Sequence, residues 1–121
     1  MDTALVVEDC LTQMAVLTDC LKQAGLNVVI AHTGEEALVK VRHYKPSVIV
    51  LDVVLPGISG FEICRELKTT AETKDIPIVL CSTKGSQMDK FWGMKQGADA
   101  YISKPVDQEE LSQTVKRLIK Y

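Results

Sequence analysis

VIVLDVVLPGISGFE, Val48 to Glu62, is the stretch on which the fold turns. Seven of its first eight residues are apolar, and the exception is Asp52. A short continuous apolar run rich in β-branched residues reads as a strand buried on both faces, the kind found in parallel sheets. Aspartate is poor in strands, and burying an unpaired carboxylate is costly. Asp52 therefore belongs at the end of the run, where the strand opens onto something positive. Pro56-Gly57 then makes a turn, and Gly60 shapes the loop behind it.

Similar runs occur at Thr3–Val7, Asn27–Ala31, Ser47–Leu51, Pro77–Cys81 and Ala100–Ser103. Stretches with helical spacing separate them. The first begins near Cys10 or Leu11, carries Met14, Leu17 and Leu21, and stops at Gly25. The second has Thr33 as N-cap with Glu36 at the capping-box position, buries Ala37, Leu38 and Val41, and ends before Pro46. The third starts near Ser59 with Phe61, Cys64 and Leu67, and the fourth runs from about Ser86 to Gln96. The fifth is capped by Asp107, with Glu110 at the box position and Leu111, Val115, Leu118 and Ile119 on one face. Strands alternating with helices predict an α/β domain over residues 1–121, a five-stranded parallel sheet with helices on both faces.

Composition agrees. The chain has 121 residues, 46% hydrophobic and 25% charged, enough for one core without disulfides. With 14 basic and 16 acidic residues it has no basic excess to bind nucleic acid. No apolar stretch is long enough to span a membrane, and the N-terminus lacks a basic signal-peptide region, so a cytoplasmic location is expected. Cys10, Cys20, Cys64 and Cys81 form no CxxC or Cys/His cluster, and His32 and His43 have no ligand spacing. They read as reduced thiols and incidental histidines.

Each strand run ends in something polar: Glu8-Asp9 after the first, Asp52 after the third, Ser82-Thr83 after the fourth, Lys104-Pro105 after the fifth. In a parallel sheet those ends share one edge, where ligands bind. Taken singly, Asp9 is an ordinary helix cap, Ser82-Thr83 a cap or turn and Lys104-Pro105 a turn. Their convergence is what matters. Three carboxylates repel unless a cation sits among them, and hard oxygen donors suit Mg²⁺. Add Lys104 and a hydroxyl, and the set suits phosphoryl transfer to a carboxylate.

With VVED at Val6–Asp9, VLDVVLPGISG at Val50–Gly60, IPIVLCST at Ile76–Thr83 and AYISKP at Ala100–Pro105, the whole chain resembles the receiver domain of two-component response regulators, of the chemotaxis type. The resemblance implies a doubly wound, flavodoxin-like sheet in the order 2-1-3-4-5. It implies Asp52 as phosphoacceptor from the phosphohistidine of a histidine kinase. It also implies Mg²⁺, with Mn²⁺ as a substitute, held by Asp9, Asp52 and the Val54 backbone carbonyl, with Glu8 acting through water. Lys104, Ser82 and Thr83 would bind the phosphoryl group, and the peptide bond before Pro105 would be cis. Ser82 and Tyr101 would form the switch, moving an output face of the fourth helix, fifth strand and fifth helix. Val54 and Lys84 occupy the positions that tune hydrolysis, and neither matches the amide/acid pair of fast-cycling chemotaxis regulators, which implies a long-lived phosphoryl group.

DKFWGMKQGADAYISKPVD, Asp89 to Asp107, is similar to PilH-type regulators of type IV pilus and phototaxis systems. Trp92, Lys95 and Tyr101 are the candidate partner surface, and pilus motor machinery the implied output. Either Phe91 or Trp92 packs in the core, or an aromatic is left partly exposed as a partner anchor. As it stands, the chain reads as a stand-alone receiver working by protein contact, not a turnover enzyme. A receiver trimmed from a longer regulator fits equally, and a receiver-like scaffold without phosphorylation is the main alternative. A flavin or nucleotide binder would want a phosphate loop where EDCLTQ supplies acids. An aspartyl phosphatase would want an acid at Val54.

Overall fold

The structure, a computed structural model, describes residues 2–83 and 85–119. Among the described residues ten elements alternate: β1 (Thr3–Val7), α1 (Leu11–Gln23), β2 (Asn27–Ala31), α2 (Gly34–Tyr44), β3 (Val48–Asp52), α3 (Gly60–Thr69), β4 (Ile78–Ser82), α4 (Gln87–Lys95), β5 (Ala100–Ser103) and α5 (Gln108–Ile119). The five strands form one parallel sheet in the order β2-β1-β3-β4-β5, as expected. Strand order reverses at β1 and β3, so the crevice between their C-terminal ends is the place for a ligand.

Two apolar cores explain why the strands read as unbroken apolar runs. Alternate side chains of β3 go to opposite faces: Ile49 and Leu51 join α2 and α3, while Val48 and Val50 join α1 and α5. Cys20, Cys64 and Cys81 are buried among them, and burial pushes the Cys64 and Cys81 thiols up to about 12. They act as small apolar residues. In α3 the inward face is led by Ile63 with Cys64 and Leu67, and Phe61 is only half-buried beside it. The i+4 step from Ile63 to Leu67 suits the face better than the step from Phe61.

Local signals fix most boundaries. The side chains of Thr33, Ser59, Ser86 and Asp107 each accept a backbone hydrogen bond three residues on, from Glu36, Glu62, Asp89 and Glu110 at 3.1, 3.3, 3.1 and 3.0 Å. Helix α1 is the exception. Its N-cap is Cys10, which makes no side-chain cap. Asp9 is therefore not the cap residue. β3 and β4 each start and end one residue later than their apolar runs, which brings Asp52 and Ser82 into the ladder opposite Cys81 and Ser103.

Candidate functional site

Four segments leave the C-terminal edge of the sheet together. Glu8 and Asp9 follow β1, Asp52 ends β3, Ser82 ends β4 with Thr83 beyond it, and Lys104 follows β5. The loop after Asp52 folds back tightly, because the Gly60 N–H donates to the Val53 carbonyl at 2.8 Å. A Cβ on Gly60 would stand 2.1 Å from the Asp52 carbonyl oxygen, so only glycine fits this return.

The acids converge as the sequence suggests. One carboxylate oxygen from each of Glu8, Asp9 and Asp52 lies within 4.8 Å of the others. Glu8 and Asp52 are buried, at 1% and 6% exposure, and Asp9 is exposed at the mouth. The Lys104 ammonium sits between the two buried acids, 2.5 Å from Glu8 Oε1 and 3.1 Å from Asp52 Oδ1. The Lys104 backbone is held from below by its N–H to the Ser82 carbonyl at 2.8 Å, and the Lys104–Pro105 peptide is cis. Asp52 also accepts from the Val54 N–H.

One ammonium does not balance two buried carboxylates. Burial is the main cause that raises Asp52 to about 6; Lys104 pulls it down and Glu8 pushes it up. Burial likewise works against the Lys104 charge, but the hydrogen bond to Glu8 and the attraction of Asp52 and Glu8 outweigh it, and Lys104 is raised. The two shifts are compatible because Lys104 makes its shorter contact with Glu8. Asp52 keeps an excess of negative charge beside it, which a divalent cation would relieve. The donor set fits a hard cation: carboxylate oxygens, with Val54 on the same cleft wall.

The cleft, about 240 Å³, is lined by Glu8, Asp9, Cys10, Gln13, Asp52, Val54, Thr83 and Lys104. Val54 is exposed there, and Thr83 is the hydroxyl on its wall. Ser82 is fully buried and hydrogen-bonds the half-buried Tyr101 phenol, whose pKa burial raises and that bond lowers, for a net rise. Tyr101 packs at its other side on α4, where Gly93 leaves room for the ring. Lys84, the second hydrolysis position, lies outside the described residues. Trp92 and Phe91 are both exposed on α4, so neither ring packs in the core, and the Lys95 ammonium sits 5.4 Å from the Phe91 ring centroid.

Gln13 is the residue sequence reasoning missed: its Oε1 accepts from Lys104 Nζ. The signal available was a polar residue in the first turn of α1, one i+4 step before the buried Leu17.

Among the described residues no helix is long and apolar enough to cross a membrane. The response regulator receiver domain family matches residues 4–116. The chain is 40% identical over 115 residues to protein PilH of Pseudomonas aeruginosa, covering 95% of each. A crystal structure of a response regulator from Chloroflexus aurantiacus superposes with TM-score 0.95 at 34% identity, covering 99% of this chain and 98% of that one. Chemotaxis protein CheY4 of Vibrio cholerae superposes at 0.90 with 31% identity, over 98% of both chains. Several curated relatives are longer, and the chain spans only 48% of the transcriptional regulator PhoP of Bacillus subtilis. The cleft, the sheet order and these matches agree: the chain belongs to the receiver domain family of two-component response regulators, signalling proteins that take phosphoryl groups from histidine kinases.

Proposed function

We propose that Asp52 is the phosphoacceptor and that the protein relays a signal by carrying a phosphoryl group there. The observation that carries this reading is the Lys104 ammonium shared between Glu8 and Asp52 beside the exposed Asp9 carboxylate. An Asp52 oxygen attacks phosphorus as the P–N bond of a kinase phosphohistidine breaks. The electron pair leaves on the imidazole, and an acyl phosphate forms. Lys104 offsets the charge on the phosphoryl oxygens, and Thr83 lines the space they enter. Asp9, Asp52 and the Val54 carbonyl would hold Mg²⁺, or Mn²⁺ in its place, with Glu8 joined through water. When bound, the metal neutralises phosphoryl charge that Lys104 alone cannot. Glu8's engagement with Lys104 supports an outer role for it.

Ser82 moves toward the phosphoryl group, releases Tyr101, and so alters the face built by α4, β5 and α5. Exposed Trp92 and Lys95 give that face an anchor for an output protein. The likeness to PilH supports a partner in type IV pilus motility machinery. Self-dephosphorylation is slow, because Val54 offers an attacking water no hydrogen bond. Val54→Asn should shorten the acyl-phosphate lifetime; an unchanged decay would remove Val54 from that role.

The test of the central reading is intact mass after incubation with Mg²⁺ and acetyl phosphate. One phosphoryl adduct is expected, absent in Asp52→Asn and absent with chelator. No adduct on the unaltered chain would leave a receiver-like scaffold that acts by binding alone.

A further inference from the structure

An ammonium has three hydrogens and no acceptor. Lys104 has three oxygen partners: Glu8 Oε1 at 2.5 Å, Asp52 Oδ1 at 3.1 Å, and Gln13 Oε1. Because lysine only donates, the amide of Gln13 must turn its oxygen, not its nitrogen, to Lys104. The partners come from three separate elements: the loop after β1, the end of β3, and the first turn of α1.

Gln13 has an ordinary alternative. It stands three residues after the Cys10 N-cap, where a glutamine commonly reaches back to the cap's own N–H. That N–H is taken instead by Glu8 Oε2 at 3.2 Å, and no acidic residue occupies the first turn. Gln13 is thus released from capping and points its acceptor at the cleft. Glu8 supports both moves, one oxygen on Cys10 and the other on Lys104.

Gln13 also marks a boundary. It lines the acidic cleft on one side and, on the other, an apolar groove walled by Val16, Leu17, Pro105 and Val106. Lys104 borders both hollows. Without an acceptor from α1, the third hydrogen of the ammonium would face an apolar wall or turn fully onto Glu8. Being neutral, Gln13 adds no charge to the site. It adds direction.

We propose that Gln13 is a positioning residue for phosphoryl transfer. Its amide oxygen, with Glu8, fixes two hydrogens of Lys104, so that the remaining one is held on Asp52 and then on the phosphoryl oxygen beside it. The proposal rests on Asp52 as phosphoacceptor. Preorganised donors aimed at developing charge lower the barrier; a mobile ammonium must be reoriented in each event.

The experiment uses acetyl phosphate with the full chain at saturating Mg²⁺. An Asp52 oxygen forms the new P–O bond as the donor's P–O bond breaks and acetate leaves with the electron pair. Gln13→Met keeps length and volume but removes the acceptor. Its maximal phosphorylation rate should fall about tenfold, the scale of one hydrogen bond to a charged group, with the donor concentration at half-rate and the Tm little changed. Gln13→Asn keeps a neutral amide acceptor, one methylene shorter, and should recover part of the rate lost in Gln13→Met. A Gln13→Met rate equal to the unaltered one overturns the proposal. So does an equal loss in both variants accompanied by a fall in Tm, which marks a structural role. If the unaltered chain takes up no phosphoryl group, the Asp52 reading fails, and this inference with it.

Discussion

Helices α4 and α5 cover the β4–β5 edge of the sheet from opposite faces, and they hold on by different means. Helix α5 turns Leu111 and Val115 inward, fully buried in one cluster with Val79, Cys81 and Ile102. Helix α4 buries only Gly93 among its residues, and leaves Met88, Phe91, Trp92 and Met94 75%, 58%, 53% and 47% exposed. Its apolar side chains point the wrong way for a core. Fully burying a leucine or valine contributes roughly 1.5–3 kcal/mol, and α4 has no such anchor. What fastens it is the Ser86 cap, the Gly97 stop and the seat of its backbone on Tyr101 and Leu80. Segments with few buried apolar contacts open at the least cost. A displacement of the Tyr101 ring should therefore move α4, which rests on it, before α5.

The largest effect is expected at the residue that ties this edge to the cleft. Lys104→Met leaves Glu8 and Asp52 buried with no ammonium, and breaking a buried pair from one side costs about 3–5 kcal/mol. Urea denaturation at pH 8 without metal should show that loss. It should shrink as the pH falls below 6, because a protonated Asp52 no longer needs the cation. A loss that is constant with pH would mean that Lys104 matters for packing alone.

Leu111→Ala on α5 should cost about 2–5 kcal/mol, and Met88→Ala on α4 less than about 0.5 kcal/mol, as for ordinary surface changes. Equal costs would erase the distinction between the helices.

A smaller effect belongs to Asp52. Its pKa in the folded protein, about 6, lies above the ordinary 3.8. The native state therefore holds that proton more tightly than the unfolded chain does. The resulting stability is fully present below pH 3.8 and lost as the pH rises through 6. Asp52→Asn removes the penalty of the ionised form. In the absence of metal it should raise stability at pH 8 by about 1 kcal/mol, or roughly 4 °C in Tm, and the gain should fade between pH 6 and 4. A lower Tm for Asp52→Asn at pH 8 would show that Lys104 holds Asp52 more strongly than burial opposes it.

Much of this was legible in the sequence, for reasons that differ by residue. Asp52, Asp9 and Lys104 were visible because a charge at the end of an apolar run violates the local pattern. The caps at Thr33, Ser59, Ser86 and Asp107 were visible because capping is set within four residues of chain. Gln13 was hidden, since an uncharged polar residue in a first helical turn breaks no rule; only the three-dimensional position of Lys104 gives it work. The outward face of α4 was half-hidden as well. Phe91 and Trp92 are adjacent, so spacing alone suggested that one of them packs inward, and nothing local announced that Gly93 would take the inward place.

Gly93 supplies the finest test. Alanine is favoured over glycine inside a helix by about 1 kcal/mol. Against that, a Cβ here would lie 2.9 Å from Tyr101 Cδ2 and 3.0 Å from Leu80 Cδ1, so something must give. Leu80 is fully buried in the sheet core and cannot yield cheaply, while Tyr101 is only half-buried. If α4 is the lightly held helix, it lifts from the sheet rather than forcing Leu80 aside. Global stability in Gly93→Ala should then change by less than about 0.5 kcal/mol, the two effects nearly cancelling. Amide hydrogen exchange should quicken across α4 and stay unchanged across α5. Trp92, the sole tryptophan, reports the same movement by fluorescence. A global loss above about 2 kcal/mol, the scale of a strained core, with α5 exchanging faster too, would mean that α4 is locked to the edge as firmly as α5 is.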